Sequence, residues 1–294
     1  MFISIRARSN NALNINPPNA DRTLSTHGSD WLWAVTALMA ITFLAWLIWT
    51  LLLSRRQLPN KHAEAATAEA TQTDEIQNSR SLPRERIFHY LFTIAAFIGF
   101  ITYFTMASDL GSTPVRQYMN VGDNMHQTRQ VFYTRYIYWF ITWPLLLVAT
   151  LLLSGVSWAT MLFLVALQEI WLVSWLCGAL TSTSYKWGYF SIGVFAYVLL
   201  AYLLFRWGLD HAREIQSAKV YTMLVGLLVV VWIAFPVAWG LSEGSNRLSV
   251  TGEMIFYGIL DLLIVPVYGS IFLGSIRRLG DSLFPFTQRG RVWR

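Results

Sequence analysis

Three ionisable side chains lie inside long apolar stretches of the sequence, where a charge needs compensation. Asp261 stands near the middle of the run from Glu253 to Gly274, Arg135 lies near the start of an earlier run, and Glu169 lies inside another. A charge at such a depth in lipid is costly, so we expect each side chain to face a protein interior and to have a partner there. The chemistry open to these residues is ion pairing or the handling of protons and ions.

Other kinds of site lack the residues that they need. The single cysteine, Cys177, can form neither an intramolecular disulfide nor a thiolate metal cluster. The histidines fall in loops or at predicted helix ends without the spacing of metal ligands, and they are His27, His62, His89, His126 and His211. No Ser-His-Asp set, phosphate-binding loop or nucleic-acid signature is found. We therefore predict no metal site, no enzymatic activity and no nucleic-acid partner.

The elements that must position the buried charges are membrane helices. Of the 294 residues, 55% are hydrophobic and 13% are charged, against about 25% charged in an ordinary soluble domain. Such a composition cannot cover a water-facing surface, so we expect the chain to be embedded in a lipid bilayer. A bilayer is crossed by ~20 apolar residues in a helix. The apolar runs predict an all-α bundle of seven transmembrane helices, at about 31–53, 87–108, 132–153, 157–180, 187–207, 219–241 and 253–275.

The placement of lysine and arginine predicts the orientation of the bundle. About twice as many of these residues fall on one side of the seven segments as on the other, and the positive-inside rule places the richer side in the cytosol. We predict an N-terminal tail, 1–30, outside the cytosol, a seven-helix domain, 31–278, and a basic cytosolic tail, 279–294. The long cytosolic loop at 54–86 has the composition of a solvated tether or a frayed helix, and a docking segment for a partner is the alternative.

The third, sixth and seventh segments together carry a family resemblance. The third reads RYIYWFITWPLLL from Arg135, the sixth reads WIAFPVAWG from Trp232, and the seventh carries Asp261 and, four residues later on the same helix face, Val265. Over roughly 31–278 the chain resembles fungal rhodopsins of the microbial rhodopsin family. In that family the position of Val265 is held by the lysine that binds retinal. The resemblance therefore implies a rhodopsin fold that has lost retinal attachment, and we predict no cofactor.

The lysines of the chain do not replace the missing one. They are Lys61, Lys186 and Lys219, and none lies in the middle of the seventh segment. Lys186 and Lys219 begin helices, where we expect their amines to extend to the membrane interface. An imine to a buried aldehyde needs a desolvated amine, which no lysine here is expected to offer.

Proton pumping as the family performs it lacks its parts. Tyr138 stands where the pumps have the carboxylate that accepts the Schiff-base proton, and Ala149 stands where they have the carboxylate that returns it, with Thr142 retained between them. A phenol is a poor proton acceptor at neutral pH, and alanine donates no proton. We therefore exclude pumping by the rhodopsin mechanism.

The resemblance also identifies the residues that surround retinal in the family. Trp139, Trp232, Pro236 and Trp239 match the positions that sandwich the polyene, and Phe235 replaces a usual tyrosine. These matches favour a preserved cavity, so a non-covalent receptor for a retinoid or another lipid remains an alternative.

Three further tryptophans argue against an open cavity. Trp171 and Trp175 fall where the family has a slimmer residue and a glycine near the retinal ring, and Trp143 is a third bulky residue. Trp171 and Trp175 stand at i and i+4, so both side chains point the same way. Since each indole brings roughly 150–250 Å² of contact surface, we predict that tryptophan fills much of the former pocket.

The polar residues of the bundle have counterparts in the family. Arg135 and Asp261 match residues of the Schiff-base counterion complex, and without a Schiff base we predict a hydrogen-bonded pair that locks the third and seventh helices. Glu243 and Glu253 match a proton-release cluster, and we expect them to cap the loop instead. We expect Glu169 to be paired by a hydrogen bond inside the bundle. The alternative is a proton or ion path, whose residues would be the buried pair with Tyr138, Thr142, Glu169, Glu243 and Glu253.

The absence of the lysine narrows the resemblance to the fungal opsin-related proteins. Membership of that branch implies a stress-linked protein of the plasma membrane that modulates other membrane proteins, such as the proton ATPase. Because related rhodopsins often form trimers, a homo-oligomer stays open. A light-independent transporter or channel is the alternative from another functional class.

Overall fold

The computed structural model describes residues 11–55, 72–121 and 127–279, with the backbone alone for residues 54–55, 72–85 and 279. Within these residues, seven helices are long and apolar enough to cross a membrane. Their spans are Thr26–Leu53, Arg86–Ala107, Tyr133–Ser154, Trp158–Leu180, Lys186–Glu214, Ala218–Gly244 and Val250–Arg278. The predicted seven-helix architecture is confirmed, and each predicted span overlaps its observed helix.

Ten α-helical segments and one β-ribbon make up the described chain. The first helices are α1 (Asn11–Ile15), α2 (Thr26–Arg55), α3 (Gln72–Ala107), α4 (Tyr133–Ser154) and α5 (Trp158–Leu180). The remaining helices are α6 (Lys186–Leu203), α7 (Leu209–Glu214), α8 (Ala218–Trp239), α9 (Val250–Leu262) and α10 (Tyr268–Leu279). The ribbon pairs β1 (Thr113–Arg116) with β2 (Thr128–Val131) in antiparallel register.

Three wider π turns interrupt the last membrane helices without ending them. Leu204–Gly208 joins α6 to α7, Gly240–Gly244 extends α8, and Leu263–Val267 joins α9 to α10. The third turn contains Pro266, which has no N–H to donate and whose ring displaces the carbonyl of the preceding turn. Val265 therefore lies in a locally widened stretch of helix, fully buried.

The two ends of the bundle differ in structure. The ribbon lies at one end, which we call the ribbon end, between α3 and α4. We call the opposite end the arginine end. The C-terminus of α2 lies there, with Arg86 at the membrane boundary of α3 and with Arg277 and Arg278 in the last turn of α10.

The N-terminal segment before α2 is docked on the ribbon rather than separate from the bundle. The Arg22 N–H donates to the Thr128 carbonyl at 2.9 Å, and the Gln130 N–H donates to the Arg22 carbonyl at 2.9 Å. The predicted boundary of the tail at residue 30 is corrected, because α2 begins at Thr26 with the Ser25 hydroxyl accepting from the Gly28 N–H. Residues 1–10 lie outside the described part.

Part of the segment predicted as a loop, 54–86, is helical in the structure. Helix α3 begins at Gln72, so its backbone is helical well before the membrane boundary at Arg86. Extending an existing helix requires no new nucleus, which favours helix even without an apolar stripe. Residues 56–71 of that loop and residues 280–294 of the predicted basic tail lie outside the described residues.

Large apolar side chains cover the outside of the bundle, and aromatic side chains fill the inside. Helix α2, for example, exposes Leu38, Ile41, Leu44 and Ile48 along one face. An exposed apolar face of this extent is typical of contact with lipid rather than water. In the core, by contrast, the largest fully buried side chains are tryptophans, tyrosines and two arginines.

Docking of the N-terminal segment is expected to depend on Asp21. Its carboxylate accepts hydrogen bonds from the Thr128 N–H at 2.7 Å and the Thr128 hydroxyl at 2.8 Å, and these bonds, the backbone one first, lower the pKa of Asp21. A lowered pKa in the folded state stabilises docking above the ordinary value of about 3.9, and this contribution is lost as pH falls through the lowered pKa. We expect Asp21→Asn to speed hydrogen exchange of the Arg22 and Gln130 amides at neutral pH.

The matched control is Asp30→Asn, which removes an exposed carboxylate from α2. It should leave both amides as protected as in the unmodified protein. Equal exchange rates in the two variants would contradict the role of Asp21.

Candidate functional site

A buried ion cluster occupies the ribbon end of the bundle. We define it by Arg129, Arg135, Lys186, Glu243 and Glu253, all of which are fully or almost fully buried. The residues come from β2, the first turn of α4, the start of α6, the π turn after α8 and the first turn of α9. The cluster therefore joins four membrane helices and the ribbon through charged side chains.

Arg135 is the centre of the ion cluster. Its Nη2 lies 2.5 Å from Glu243 Oε1 and 2.6 Å from Glu253 Oε1. Its guanidinium carbon also lies 4.0 Å from the centroid of the Tyr257 ring. One guanidinium thus bridges the ends of the sixth and seventh membrane helices, and charge-assisted bonds of this kind are strong where water is excluded.

Arg129 holds Glu253 from the other side. Its Nη2 and Nε lie 2.5 Å and 3.1 Å from Glu253 Oε2. Its Nη1 donates to the Leu248 carbonyl at 2.6 Å and to Asn246 Oδ1 at 3.0 Å. The two oxygens of Glu253 are therefore each held by a different arginine.

Glu243 is surrounded by hydroxyl donors. Tyr136 donates to Glu243 Oε1 at 3.0 Å, Tyr257 donates to Glu243 Oε2 at 3.3 Å, and Ser242 also donates to Oε2. These groups satisfy the carboxylate inside the protein. The expectation that Glu243 and Glu253 cap the loop is wrong, since both carboxylates point into the bundle.

Lys186 is a third buried cation of the cluster. Its Nζ donates to the Glu243 carbonyl at 2.6 Å and to Gln117 Oε1 at 3.2 Å, and its side chain is fully buried. The expectation that its amine reaches the membrane interface is wrong. The loop after β1 supplies Gln117 as an acceptor and covers the amine.

The formal charges of the ion cluster indicate a static role. Three basic side chains face two carboxylates, and each carboxylate contacts at least one arginine. Breaking one of these contacts would leave a buried charge unpaired, which is costly. The arrangement therefore holds the ends of these helices together.

Asp261 belongs to a separate polar site. Its Oδ2 accepts from the Tyr103 hydroxyl at 2.6 Å, and its Oδ1 accepts from the Trp139 indole N–H at 2.9 Å. The predicted pair between Arg135 and Asp261 is wrong. Asp261 lies eight residues beyond Glu253, about 12 Å along the helix, whereas both glutamates lie at the level of Arg135 and take its charge.

The residues between Asp261 and the middle of α4 form no polar chain. The Tyr138 hydroxyl is buried and has no hydrogen-bond partner among the described residues. The Thr142 hydroxyl donates to the Tyr138 carbonyl of its own helix at 2.7 Å. Ala149 is fully buried and carries no polar atom on its side chain.

Aromatic rings fill the centre of the bundle. Trp143 is in contact with Trp139, Trp171 and Trp232, with ring centroids 5.3, 4.9 and 5.5 Å apart. Phe235 meets Trp143 edge-on at 4.8 Å. The other residues predicted to line the pocket extend the same cluster or flank it, and they are Trp175, Pro236, Trp239 and Val265.

The direction predicted for Trp171 and Trp175 agrees with the structure. Both rings are fully buried and meet at 5.2 Å. A Cβ placed on Gly193 would overlap the Trp175 indole, so α6 approaches closely at a glycine to make room for that ring. Closely packed indoles leave some donors unpaired: the N–H groups of Trp143, Trp171 and Trp232 have no hydrogen-bond partner among the described residues.

Glu169 and Gln168 lie in the middle of α5, and neither side chain has a hydrogen-bond partner among the described residues. Glu169 is half-buried, Gln168 is fully buried, and the polar side-chain atoms of both lack hydrogen-bond partners among the described residues. The prediction that Glu169 is paired by a hydrogen bond is therefore wrong, as far as the described residues extend. Neither residue touches the ion cluster by a hydrogen bond or ion pair that the structure describes.

Several residues of the two polar sites were missed by sequence reasoning. Arg129 and Lys186 lie near loops, where a cation is ordinarily solvated, and their burial depends on the ribbon that covers them. Tyr103, Tyr136 and Tyr257 read as apolar helix residues. A usable signal was the balance of charge, because two acidic residues near one end of a membrane bundle need cations at the same level.

In sequence and fold the chain is similar to light-driven pumps and opsin-like proteins. Residues 62–279 match the family model described as bacteriorhodopsin-like protein. The opsin-like protein carO of Fusarium fujikuroi is 36% identical, with 94% of this chain and 84% of that protein covered. The 30 kDa heat shock protein of Saccharomyces cerevisiae is 32% identical, with 92% and 79% covered. The solved light-driven proton pump from Leptosphaeria maculans is 28% identical at a TM-score of 0.71, with 89% and 98% covered.

Double-mutant cycles are expected to separate the two polar sites. Arg135→Gln or Glu253→Gln alone should destabilise the protein by roughly 3–5 kcal/mol, because each leaves a buried charge unpaired. The pair should show a coupling energy of about 1–3 kcal/mol, whereas Arg135→Gln with Asp261→Asn should be additive within about 0.5 kcal/mol. The quantity measured is the free energy of unfolding of each variant in detergent. The Arg213→Gln control removes an exposed ion pair with Asp210 and should change stability little.

A coupling between Arg135 and Asp261 as large as that between Arg135 and Glu253 would contradict this assignment. It would restore the direct pair between the two helices.

Proposed function

Because the chain belongs to the bacteriorhodopsin-like protein family, we propose that it is an opsin-like membrane protein that does not attach retinal, does not pump protons, and modulates other membrane proteins. The bacteriorhodopsin-like model covers most of the chain. Relatives more than 30% identical span most of its length.

The observation that carries the proposal is the interior around Val265. A covalent retinal needs an amine on the seventh membrane helix, and the span Val250–Arg278 contains no lysine. Val265 is fully buried, four residues after Asp261 and on the same helix face. Asp261 is instead satisfied by Tyr103 and Trp139. The residues present do not fit a covalently bound retinal.

The aromatic centre supports the same proposal. The rings of Trp139, Trp143, Trp171 and Trp232 form one contact cluster with neighbouring centroids 4.9–5.6 Å apart. A long rigid ligand would have to displace several of these buried rings, and each large-to-small change in a packed core is costly. Packing of this kind is consistent with a structural core rather than a chromophore pocket.

The ion cluster argues against transport by the route of the pumps. Its carboxylates are held by Arg129 and Arg135, and the Tyr138 hydroxyl and the Ala149 side chain supply no carboxyl group further along. The name of the yeast relative, a 30 kDa heat shock protein, is consistent with a link to stress.

We propose that the protein lies in the plasma membrane with its N-terminus outside and its arginine end in the cytosol. The partner in this proposal is a membrane protein such as the proton ATPase. The segments available for contact in the cytosol would then be residues 56–71 and 280–294, together with the arginine end.

A second candidate function is favoured by the unpaired donors in the aromatic centre. The indole N–H groups of Trp143, Trp171 and Trp232 could bond to the polar end of a small ligand held without a covalent link. This candidate requires the rings to separate, and saturable binding of a retinoid or lipid that is lost on Trp232→Ala would support it.

The modulator proposal is tested with the plasma-membrane proton ATPase and this protein in the same vesicles. We expect ATP-driven proton uptake to change when the protein is present and to return to the ATPase-alone rate when residues 56–71 and 280–294 are both deleted. The control carries scrambled sequences of equal length and charge in both segments, with the described helices unchanged. It distinguishes sequence-specific contact from charge alone.

An ATPase rate that does not respond to the protein would contradict the modulator proposal. Proton flux by the protein alone that is lost on Asp261→Asn would favour a transporter instead.

A further inference from the structure

A cavity lies at the arginine end of the bundle, far from the ion cluster and the aromatic centre. We call it the arginine-end cavity. It is formed between α2, α3 and α10, which contribute Trp49, His89 and Arg277 respectively, with leucine and isoleucine side chains completing its walls. Its volume is about 130 Å³, whereas one water needs ~10–15 Å³. It is therefore large enough for a polar group bigger than a single water.

His89 gives the arginine-end cavity a buried polar wall. The residue is 4% exposed, and its Nδ1 has no hydrogen-bond partner among the described residues. The ring is held by an edge contact with Trp49, with centroids 4.7 Å apart. A buried ring nitrogen without a protein partner is costly, and in the tautomer that carries hydrogen on Nδ1 it can donate to a ligand.

Arg277 supplies a positive charge at the mouth of the same cavity. Its guanidinium carbon lies 6.0 Å from the centroid of the Trp49 ring, so the aromatic face positions the cation beside the opening. No acidic side chain lines the cavity among the residues that the structure describes. The planar guanidinium of an arginine can donate two parallel hydrogen bonds to a phosphate or a carboxylate.

The end of α2 does not cancel this charge. Helix C-termini carry partial negative charge on their last carbonyls, and Leu53, near the end of α2, lines the cavity. Arg86 donates from Nη2 to the Leu53 carbonyl at 3.5 Å. A second guanidinium therefore lies at the end of α2 beside the cavity.

We propose that the arginine-end cavity binds a phosphate group, with Arg277 pairing with its negative charge and His89 donating a hydrogen bond from Nδ1. The apolar walls of Leu52, Leu273 and Ile276 suit the glycerol and first methylenes of a phospholipid. The cavity also lies at the membrane boundary of the bundle, beside the ends of three spanning helices. The source of the phosphate is an anionic phospholipid or free phosphate, and the experiment distinguishes the two.

The test measures the affinity of short-chain phosphatidate for the full-length protein in phosphatidylcholine discs. We expect Arg277→Gln to weaken binding about tenfold, since a hydrogen-bonded charged contact is worth about that much. Arg278→Gln is the matched control: it removes the same charge from the neighbouring residue, which does not line the cavity. It should weaken binding much less.

A second pair of variants tests the buried wall. His89→Leu removes the donor and should weaken phosphatidate binding about tenfold, while His89→Gln keeps a side-chain N–H and should retain part of the affinity. Because His89 is buried, each variant is first checked for an unchanged unfolding midpoint without added phosphatidate. Should His89→Leu fail to fold, the Arg277→Gln and Arg278→Gln pair alone decides the outcome.

The competing ligands identify the source of the phosphate. Displacement of phosphatidate by inorganic phosphate at equal concentration would assign the site to the free ion, and phosphatidate that stays bound in the presence of that phosphate would assign it to the lipid. Equal losses in Arg277→Gln and Arg278→Gln would overturn the proposal, because general attraction to a basic surface would then explain binding. No preference of the unmodified protein for phosphatidate over phosphatidylcholine would overturn it as well.

Discussion

The structure depends on the rule that a charge inside a membrane bundle must be satisfied by the bundle itself. Arg135 meets this rule by bridging Glu243 and Glu253 at 2.5 and 2.6 Å, and Arg129 holds the second oxygen of Glu253. These contacts tie the ribbon and the ends of the fourth, eighth and ninth helical segments into one unit. Removing any partner leaves an unpaired charge in a low dielectric, so the whole ribbon end is coupled.

Because the ion pairs lie at the ribbon end, the centre of the bundle contains mainly apolar and aromatic side chains. The carboxylate of Asp261, four residues before Val265, accepts hydrogen bonds from Tyr103 and Trp139 and so has partners within the bundle. The tryptophans then pack against one another, although three indole N–H groups remain unpaired among the described residues. Ring packing therefore outweighs hydrogen bonding in this core, which is the reverse of a site built to orient a polar ligand.

The seven spans and the inward direction of Trp171 and Trp175 followed from hydropathy and helical periodicity, because both are local properties of the sequence. The partner of Arg135 was not predictable in this way. Its choice of Glu243 and Glu253 over Asp261 depends on the level of each residue along its helix, which is set by loop lengths and by the π turn at Gly240–Gly244. The burial of Lys186 depends likewise on the ribbon and on Gln117. Such a contact between distant parts of the chain cannot be predicted from the hydrophobic periodicity of the sequence.

The most direct test of the central claim is an absorbance titration with all-trans retinal of the unmodified protein and of Val265→Lys. We predict no red-shifted band in either protein: the unmodified protein has no amine at Val265, and in Val265→Lys the tryptophans still occupy the space that a chromophore would need. A band in Val265→Lys alone would show that the rings can give way and would contradict the filled core. A band in the unmodified protein would contradict the absence of retinal attachment and with it the central claim.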